Sequence, residues 1–190
     1  MRRIVKANAV LAVRERPARA SREQYALFRS YVARRHADGE MALMGYDDFR
    51  NMVEDSPIDS AVVEFRDRDE TLVAACLADR LSDGYSAVYS FFEPGRTWPS
   101  LGSHMILWLV AAARARGLPY VYLGYWIAGS AKMSYKSRFA PLEALGAHGW
   151  QALPPATIAP ASVELMGARE ARGRQPPGLG AEPDPFAELG

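Results

Sequence analysis

The sequence contains a single cysteine, Cys76, among its 190 residues. One cysteine excludes an internal disulfide framework and a four-cysteine metal site. Its neighbours form the apolar run "LVAACLADRL", so we expect a buried thiol that fills space in the core. No apolar run approaches the ~20 residues that a helix needs to cross a bilayer. The opening "MRRIVKANAV" lacks the apolar stretch of a secretory signal, so we expect a cytoplasmic protein without a membrane partner.

The chain also lacks an excess of charge of either sign. Its 23 Lys and Arg residues stand against 22 Asp and Glu residues, which leaves a formal charge of +1. A general nucleic-acid binder carries a stronger positive field, so any polyanionic partner must meet a local patch. The first twenty residues hold one candidate patch, with six basic side chains: Arg2, Arg3, Lys6, Arg14, Arg16 and Arg19.

The first half of the chain predicts one strand and two helices. "AVLAV", residues 9–13, is typical of a strand. "SREQ" places a capping serine, Ser21, three residues before Gln24, and apolar residues follow at helical spacing. We expect this helix to end near "HADGE", with Gly39 in the left-handed conformation. "YDDFRNMVED" predicts a second, shorter helix that Pro57 closes.

The second half predicts a sheet crossed by a helix. Residues 60–67, 71–79 and 84–92 indicate an antiparallel meander of three strands. The helix "LGSHMILWLVAAARARG" follows, with Gly117 as its stop, and then a buried strand "LPYVYLG" and a short helix. By analogy, this order favours an α/β (α+β) fold of the acetyltransferase type, with a mixed sheet flanked by helices. We expect one domain over residues 1–150 and a disordered Pro-, Gly- and Ala-rich tail over 151–190.

The loop after the third meander strand argues against coenzyme A. A coenzyme A site of this fold needs a glycine-rich turn whose amides hold the pyrophosphate. In "EPGRTWPSLGSH", Gly95 and Gly102 are too far apart to form such a turn. The signal for this cofactor is therefore weak.

The segment "KMSYKSRF" carries the most unusual group of side chains. If it is helical, Lys132, Tyr135, Lys136 and Phe139 share one face. Solvation would explain two surface lysines, but these follow the aromatic turn "GYWIAGS" at a strand end, where open sheets bind ligands. In "YSFFEP", strand alternation places Tyr89 and Phe91 on one face and Ser90 and Phe92 on the other.

The basic segment "RRHADGEM" ends the first predicted helix. Arg34, Arg35 and His36 there complement the helix dipole, which is an ordinary structural role. The alternative is that this end of the helix faces an anionic substrate.

The stretch "YVYLGYWIAGSAKMSYKSRFAPLEALG" resembles the signature of the bacterial leucyl-transfer-RNA-protein transferases, in the arginyl-transfer-RNA-protein transferase family. The blocks "EQYALFRSYVARRHADGEMA", "DDFRNMVEDSPIDSAVVEFR", "LADRLSDGYSAVYSFFEP" and "SLGSHMIL" are similar to the same family in the same order. The resemblance covers residues 1–150. Family members also have a cysteine-rich N-terminal domain, and we expect it to be absent here.

The resemblance implies an enzyme that moves leucine from aminoacyl-tRNA to the N-terminal amine of proteins that begin with Asp or Glu. The product is a degradation signal of the N-degron pathway, so a downstream protease adaptor would be only an indirect partner of the enzyme. Aminoacyl-tRNA is the co-substrate, and no cofactor or metal is expected. Arginine as the transferred amino acid, a coenzyme-A-dependent N-acyltransferase, and a non-catalytic tRNA or N-degron binding module stay open as alternatives.

The resemblance also suggests site residues by motif position. Candidates for the cation that meets the acidic acceptor are Arg35, His36, Lys132, Lys136 and Arg138. Candidates for orienting the amine or the ester are Tyr89, Ser90, Tyr125 and Ser130, with Asp79 assisting proton removal. Tyr135 shares the predicted helix face, and Trp126 or Tyr125 would stack on the terminal adenosine.

Overall fold

The computed structural model of the chain describes residues 1–35, 37, 39–95, 98–127 and 133–153. The chain divides into two compact units, one over residues 1–139 and a second that begins at Ala140. The helices are α1 Arg2–Ala7, α2 Arg22–Arg35, α3 Tyr46–Glu54 and α4 Leu101–Ala115, with short 3-10 helices at Glu40–Leu43 and Ser134–Arg138. The strands are β1 Ala12–Pro17, β2 Ser60–Arg66, β3 Leu72–Leu81, β4 Gly84–Phe92, β5 Tyr120–Tyr122, β6 Glu143–Gly146 and β7 Gly149–Ala152.

The first unit is built on a five-stranded mixed sheet in the order β1-β2-β3-β4-β5. Strands β1 to β4 are antiparallel neighbours, and β5 runs parallel to β4 after the crossover through α4. This confirms the predicted meander and the predicted mixed α/β sheet. In the second unit, β6 and β7 form an antiparallel hairpin that the sequence did not predict.

Helices cover both faces of the sheet, because its central strands are apolar on both sides. One face packs on α4, where Phe65, Cys76 and Tyr85 meet Met105 and Leu109. The other packs on α2 and α3, in a core formed by Phe28, Val32, Phe49, Val53, Val62, Ala75, Leu77 and Phe91. No helix among the described residues has the length and apolar character that a membrane crossing requires.

The predicted capping box fixes the start of α2. The Gln24 amide donates to Ser21 Oγ at 3.1 Å, and the Ser21 amide donates to Gln24 Oε1 at 3.0 Å. The same glutamine side chain donates to buried Glu64 Oε1 at 2.9 Å. Glu64 also pairs with Arg66 at 3.1 Å, so its buried charge is compensated and the helix is tied to β2.

Three local predictions were wrong. The first strand begins at Ala12 rather than at residue 9, and α1 precedes it, so "AVLAV" mostly forms the connection between them. Gly39 has φ −92°, so the first long helix ends at Arg35 without a left-handed glycine. Strand β5 is half-exposed instead of buried, with Tyr120 at 46% exposure, since it forms the sheet edge. The predicted short helix after β5 is present, as a 3-10 helix over Ser134–Arg138.

A β-bulge in β4 divides its side chains between the two cores. Leu77 pairs with Tyr89 and Ala78 pairs with Ala87, so Val88 has no partner residue in β3. Before the bulge, Tyr85 packs in the α4 core, whereas after it Tyr89 packs on the α2 side. A regular strand would keep all its odd-numbered residues on one face.

Strands β4 and β5 meet at a position that only glycine can occupy. A Cβ added to Gly84 would overlap the Tyr120 carbonyl oxygen and lie 2.9 Å from its carbonyl carbon. The Tyr120 amide donates to Asp83 O at 3.2 Å, and Tyr122 Oη donates to Asp83 Oδ2 at 2.8 Å. These contacts hold β5 at the beginning of β4.

We expect Gly84→Ala to lower the free energy of unfolding by about 1–3 kcal/mol, because the new methyl group overlaps backbone atoms that cannot move without breaking the pairing. Urea denaturation measures the change. Gly146→Ala is the matched control, since a Cβ there meets nothing within 4 Å. Equal stability of the two variants would show that β5 shifts freely.

His104 is a buried polar residue in the α4 core. It is 7% exposed, its ring meets Phe65 edge-on at 5.6 Å, and Nδ1 has no hydrogen-bond partner among the described residues. Burial lowers the pKa of His104 below its usual value. The folded state therefore resists protonation of this imidazole more than the unfolded chain does.

The lowered pKa sets a direction for acid sensitivity. Above the unfolded-state pKa of about 6.5, His104 is neutral in both states, so its protonation does not change the free energy of unfolding. As the pH falls below that value, the unfolded chain binds the proton first, so stability is lost. We expect His104→Phe to raise the free energy of unfolding by about 1 kcal/mol at pH 7 and to flatten its decline between pH 7 and 5. Urea titrations at several pH values test this, with exposed His148→Gln as the control that keeps the decline.

Candidate active site

Among the described residues, the second half of β4 has no strand partner on the side of β5. The parallel pairing with β5 runs from Gly84–Tyr120 to Ser86–Tyr122 and stops there. Beyond Ser86, no described strand pairs with β4 on this side, and exposed Val88 lies in this stretch. We call the space beside residues 87–92 the β4 cleft. A strand edge without a partner leaves backbone groups and side chains accessible to a ligand.

Three half-buried phenols from different elements are candidates for the β4 cleft: Tyr31 of α2, Tyr89 of β4 and Tyr135 of the second 3-10 helix. Burial raises the pKa of Tyr89 to about 12, and Tyr31 adds to that rise. Burial also raises the pKa of Tyr135, with smaller contributions from Tyr31 and Cys76. All three phenols are protonated near neutral pH and can donate hydrogen bonds, but cannot act as bases in their resting state.

Ser90 faces the opposite side of β4 from Tyr89, as predicted from strand alternation. Its Oγ donates to Cys76 Sγ at 3.3 Å in the neighbouring strand. Burial raises the pKa of the Cys76 thiol to about 11. The predicted buried cysteine is confirmed.

Arg35 lies at the end of β4, where α2 also ends. Its guanidinium carbon is 5.7 Å from the centre of the Phe92 ring. The centre of the Tyr31 ring lies 4.9 Å from the centre of the same Phe92 ring. Tyr31 and Arg35 are four residues apart, so they share one face of the helix. No ion pair holds Arg35 within the described part of the chain, so its charge can meet an external anion.

Residues 123–127 form the loop that follows β5. Gly124 has φ +70°, which turns the chain, and Tyr125 is 77% exposed while Trp126 is half-buried. Lys136 Nζ donates to the Tyr125 carbonyl at 2.8 Å. Burial lowers the pKa of Lys136.

The remaining predicted residues are placed less closely. Asp79 accepts a hydrogen bond from Ser60 Oγ at 2.6 Å and pairs in register with Ser86, so it lies two residues along β3 from the partner of Tyr89. Arg138 is exposed in the second 3-10 helix. His36, Ser130 and Lys132 lie outside the described residues. The roles suggested for all of these side chains stay predictions.

Sequence reasoning missed Tyr31 and the pairing of Phe92 with it. The available signal was the helix spacing Phe28–Tyr31–Arg35, which places a phenol between a core residue and a basic one. The bulge at Val88 carried no sequence signal of its own. Alternation alone therefore could not predict which side of the sheet each β4 residue faces relative to Tyr85.

Two other features do not form part of this cleft. A cavity of about 380 Å³ lies between residues 17–19 and 56–60, at the opposite end of β2 and β3. Its residue Asp59 is engaged with Arg80 at 2.6 Å. Among the residues that the structure describes, no group of three or more His, Cys, Asp and Glu side chains is arranged to hold a metal ion.

Comparison with solved structures gives only distant likeness. The structure of L-PGS from Bacillus licheniformis matches with a TM-score of 0.47 at 10% identity, over 72% of this chain and 44% of that one. A likeness at this level does not identify a function.

Comparison with protein families and curated relatives is far more specific. Residues 23–146 match the family model "Arginine-tRNA-protein transferase, C terminus". The aspartate/glutamate leucyltransferase of Paramagnetospirillum magneticum is 59% identical over 82% of this chain and 64% of its own length. Those of Granulibacter bethesdensis and Rhodospirillum rubrum are 52% and 56% identical, over 83% and 78% of this chain and 59% and 61% of their own lengths. The chain thus spans about six-tenths of these relatives, and it belongs to the arginine-tRNA-protein transferase family through that family's C-terminal region.

Proposed function

We propose that this chain catalyses transfer of leucine from aminoacyl-tRNA to the N-terminal amine of proteins that begin with Asp or Glu, in the cytoplasm. The observation that carries the proposal is the identity of 52–59% to aspartate/glutamate leucyltransferases over about four-fifths of the chain. The β4 cleft supports it, since it begins where the β4–β5 pairing ends and lies within the family match. The product would mark its carrier for degradation.

The reaction needs little chemical activation. An aminoacyl ester is already activated, and an N-terminal amine has a pKa of about 7.7–8.0, so a useful fraction is neutral near pH 7. The amine nitrogen attacks the ester carbonyl carbon, and the bond to the ribose oxygen breaks. The proton that leaves the nitrogen ends on that ribose oxygen. Positioning and hydrogen bonds to the developing oxyanion then supply the catalysis, without a cofactor.

The phenols of the β4 cleft suit the oxyanion role. Tyr89 and Tyr135 remain protonated because burial raises the pKa of both. A buried phenol that stays neutral donates a hydrogen bond to an oxyanion in a medium of low polarity, where such a bond is strong. Ser90 and Tyr125 are further candidates for orienting the reacting groups.

Arg35 suits the acidic first residue of the acceptor. Guanidinium binds carboxylate through two parallel hydrogen bonds, and the Phe92 ring holds the group in place from one side. The family resemblance also suggests Arg138 and Lys136. The contact of Arg35 with the Phe92 ring places this cation at the end of β4.

We expect Arg35→Ala to lower kcat/KM for peptides that begin with Asp or Glu by about tenfold or more, because a charge-assisted bidentate contact is lost. Use of a peptide that begins with Ala should change by less than about twofold. The assay follows radiolabelled leucine from charged tRNA into peptide.

Arg34→Ala is the matched control, since Arg34 is the exposed neighbour on the same helix turn. Equal losses with all three peptides would refute the recognition role of Arg35. Parallel assays with arginyl-tRNA and with acetyl coenzyme A separate the leucine proposal from the two alternative donors. Absence of product with every donor would contradict the proposed activity itself.

The direct mechanism predicts an unreactive cysteine. With its pKa near 11, the Cys76 thiol is almost fully protonated at pH 8, so reaction with a thiol reagent should be at least about a hundredfold slower than in urea. Transfer activity should survive iodoacetamide at pH 8. Rapid loss of activity in step with alkylation of Cys76 would instead indicate a cysteine that takes part in the reaction.

A further inference from the structure

The loop at residues 123–127, which we call the aromatic loop, is exposed and has little packing of its own. Tyr125 is 77% exposed and Ile127 is 54% exposed, although both are large apolar side chains. Strand β5 ends at Tyr122, so the loop receives no ladder hydrogen bonds from the sheet beyond that residue. An exposed loop of this kind samples several conformations unless another element holds it.

Lys136 anchors the aromatic loop through a hydrogen bond. Its Nζ donates to the Tyr125 carbonyl at 2.8 Å, within the range of a well-formed charge-assisted hydrogen bond. A Cβ added to Gly124 would lie 3.9 Å from the same Nζ, so the chain passes directly over the ammonium group. The two groups are 11 residues apart in sequence, and the bond fixes their separation.

Three features distinguish Lys136 from a solvated surface lysine. It is half-buried, and burial lowers its pKa. No carboxylate forms an ion pair with it within the described ranges. Its one described hydrogen bond goes to a backbone carbonyl, where a point charge with rotatable donors serves well and a bidentate fork is not required.

We propose that Lys136 is a positioning residue that holds the aromatic loop in place for the nucleotide end of the aminoacyl-tRNA. The proposal rests on the proposed function and refines it: Arg35 meets the acidic acceptor, whereas Lys136 acts on the other substrate through Tyr125 and Trp126. Exposed aromatic rings bind unpaired bases by stacking, and the affinity depends on the rings being held in place beforehand. Loss of the Lys136–Tyr125 hydrogen bond therefore weakens tRNA binding without removing a group that touches the reacting atoms.

Lys136→Met tests the proposal, because methionine keeps most of the side-chain volume and loses the donor. We expect the KM for leucyl-tRNA to rise about tenfold, with kcat and the preference for Asp over Ala acceptors within about twofold of the parent chain. Hydrogen–deuterium exchange of residues 120–127, followed by mass spectrometry without any substrate, should become about tenfold faster. Lys136→Arg should recover most of both losses, since its guanidinium can also donate to the carbonyl.

Two further variants provide controls. Gly124→Ala strains a backbone with φ +70° and leaves the lysine in place, so it should raise the KM for leucyl-tRNA in the same manner. Arg68→Gln removes an exposed cation from the turn between β2 and β3 and should change neither measurement. Unchanged exchange in β3 peptides verifies that each variant is folded.

The possible results distinguish failure of the positioning role of Lys136 from failure of the proposed transfer activity. A Lys136→Met variant with parental exchange in residues 120–127 overturns the positioning role. A collapse of the Asp preference with an unchanged KM for leucyl-tRNA also overturns it, since Lys136 would then bind the acceptor. If the parent chain transfers no amino acid, the proposed function fails, whereas the exchange data still decide whether Lys136 holds the loop.

Discussion

The close approach of Gly84 to the Tyr120 carbonyl is the constraint on which the β4 cleft depends. It brings β4 and β5 together at one end of the sheet, where a side chain at position 84 would collide with the neighbouring backbone. The pairing then covers three residues on each strand and ends. Asp83 also holds β5 at that end, and within the described part of the chain residues 87–92 have no strand partner on this side.

The bulge at Val88 decides which groups face that edge and from which side. Without it, Tyr89 would share the face of Tyr85 and enter the α4 core. With it, Tyr89 joins Tyr31 on the α2 side, and Ser90 turns to Cys76. One extra residue in β4 therefore places a phenol and a hydroxyl on opposite sides of a single strand beside the open edge.

The charges of the molecule are arranged so that most strong pairs stabilise the fold. Arg66 pairs with Glu23 and Glu64, and Arg80 pairs with Glu15 and Asp59. Such pairs tie α2 and β1 to the meander and leave little free charge there. Near the cleft, Arg35 has an aromatic partner rather than an acidic one among the described residues. A protein with a formal charge of only +1 can thus present a localised cation to an anionic substrate.

Local patterns in the sequence predicted the elements that local physics controls. The capping pair Ser21 and Gln24, the three meander strands and the glycine stop of α4 at Gly117 all follow from short-range geometry, and the structure confirms them. Predictions that depended on neighbours in space were less successful: β5, predicted to be buried, is a half-exposed edge strand.

By itself, the sequence determined the fold class and, through long blocks in register, the family, because burial patterns and family motifs are properties of the chain alone. Only the tertiary structure decided where the cleft lies, that Tyr31 joins Tyr89 and Tyr135, and that Lys136 bonds to Tyr125. Those facts depend on where the pairing of β4 with β5 ends and on a bulge with no sequence signal. Contacts between residues 11 to more than 100 positions apart are set by packing, which no short pattern encodes.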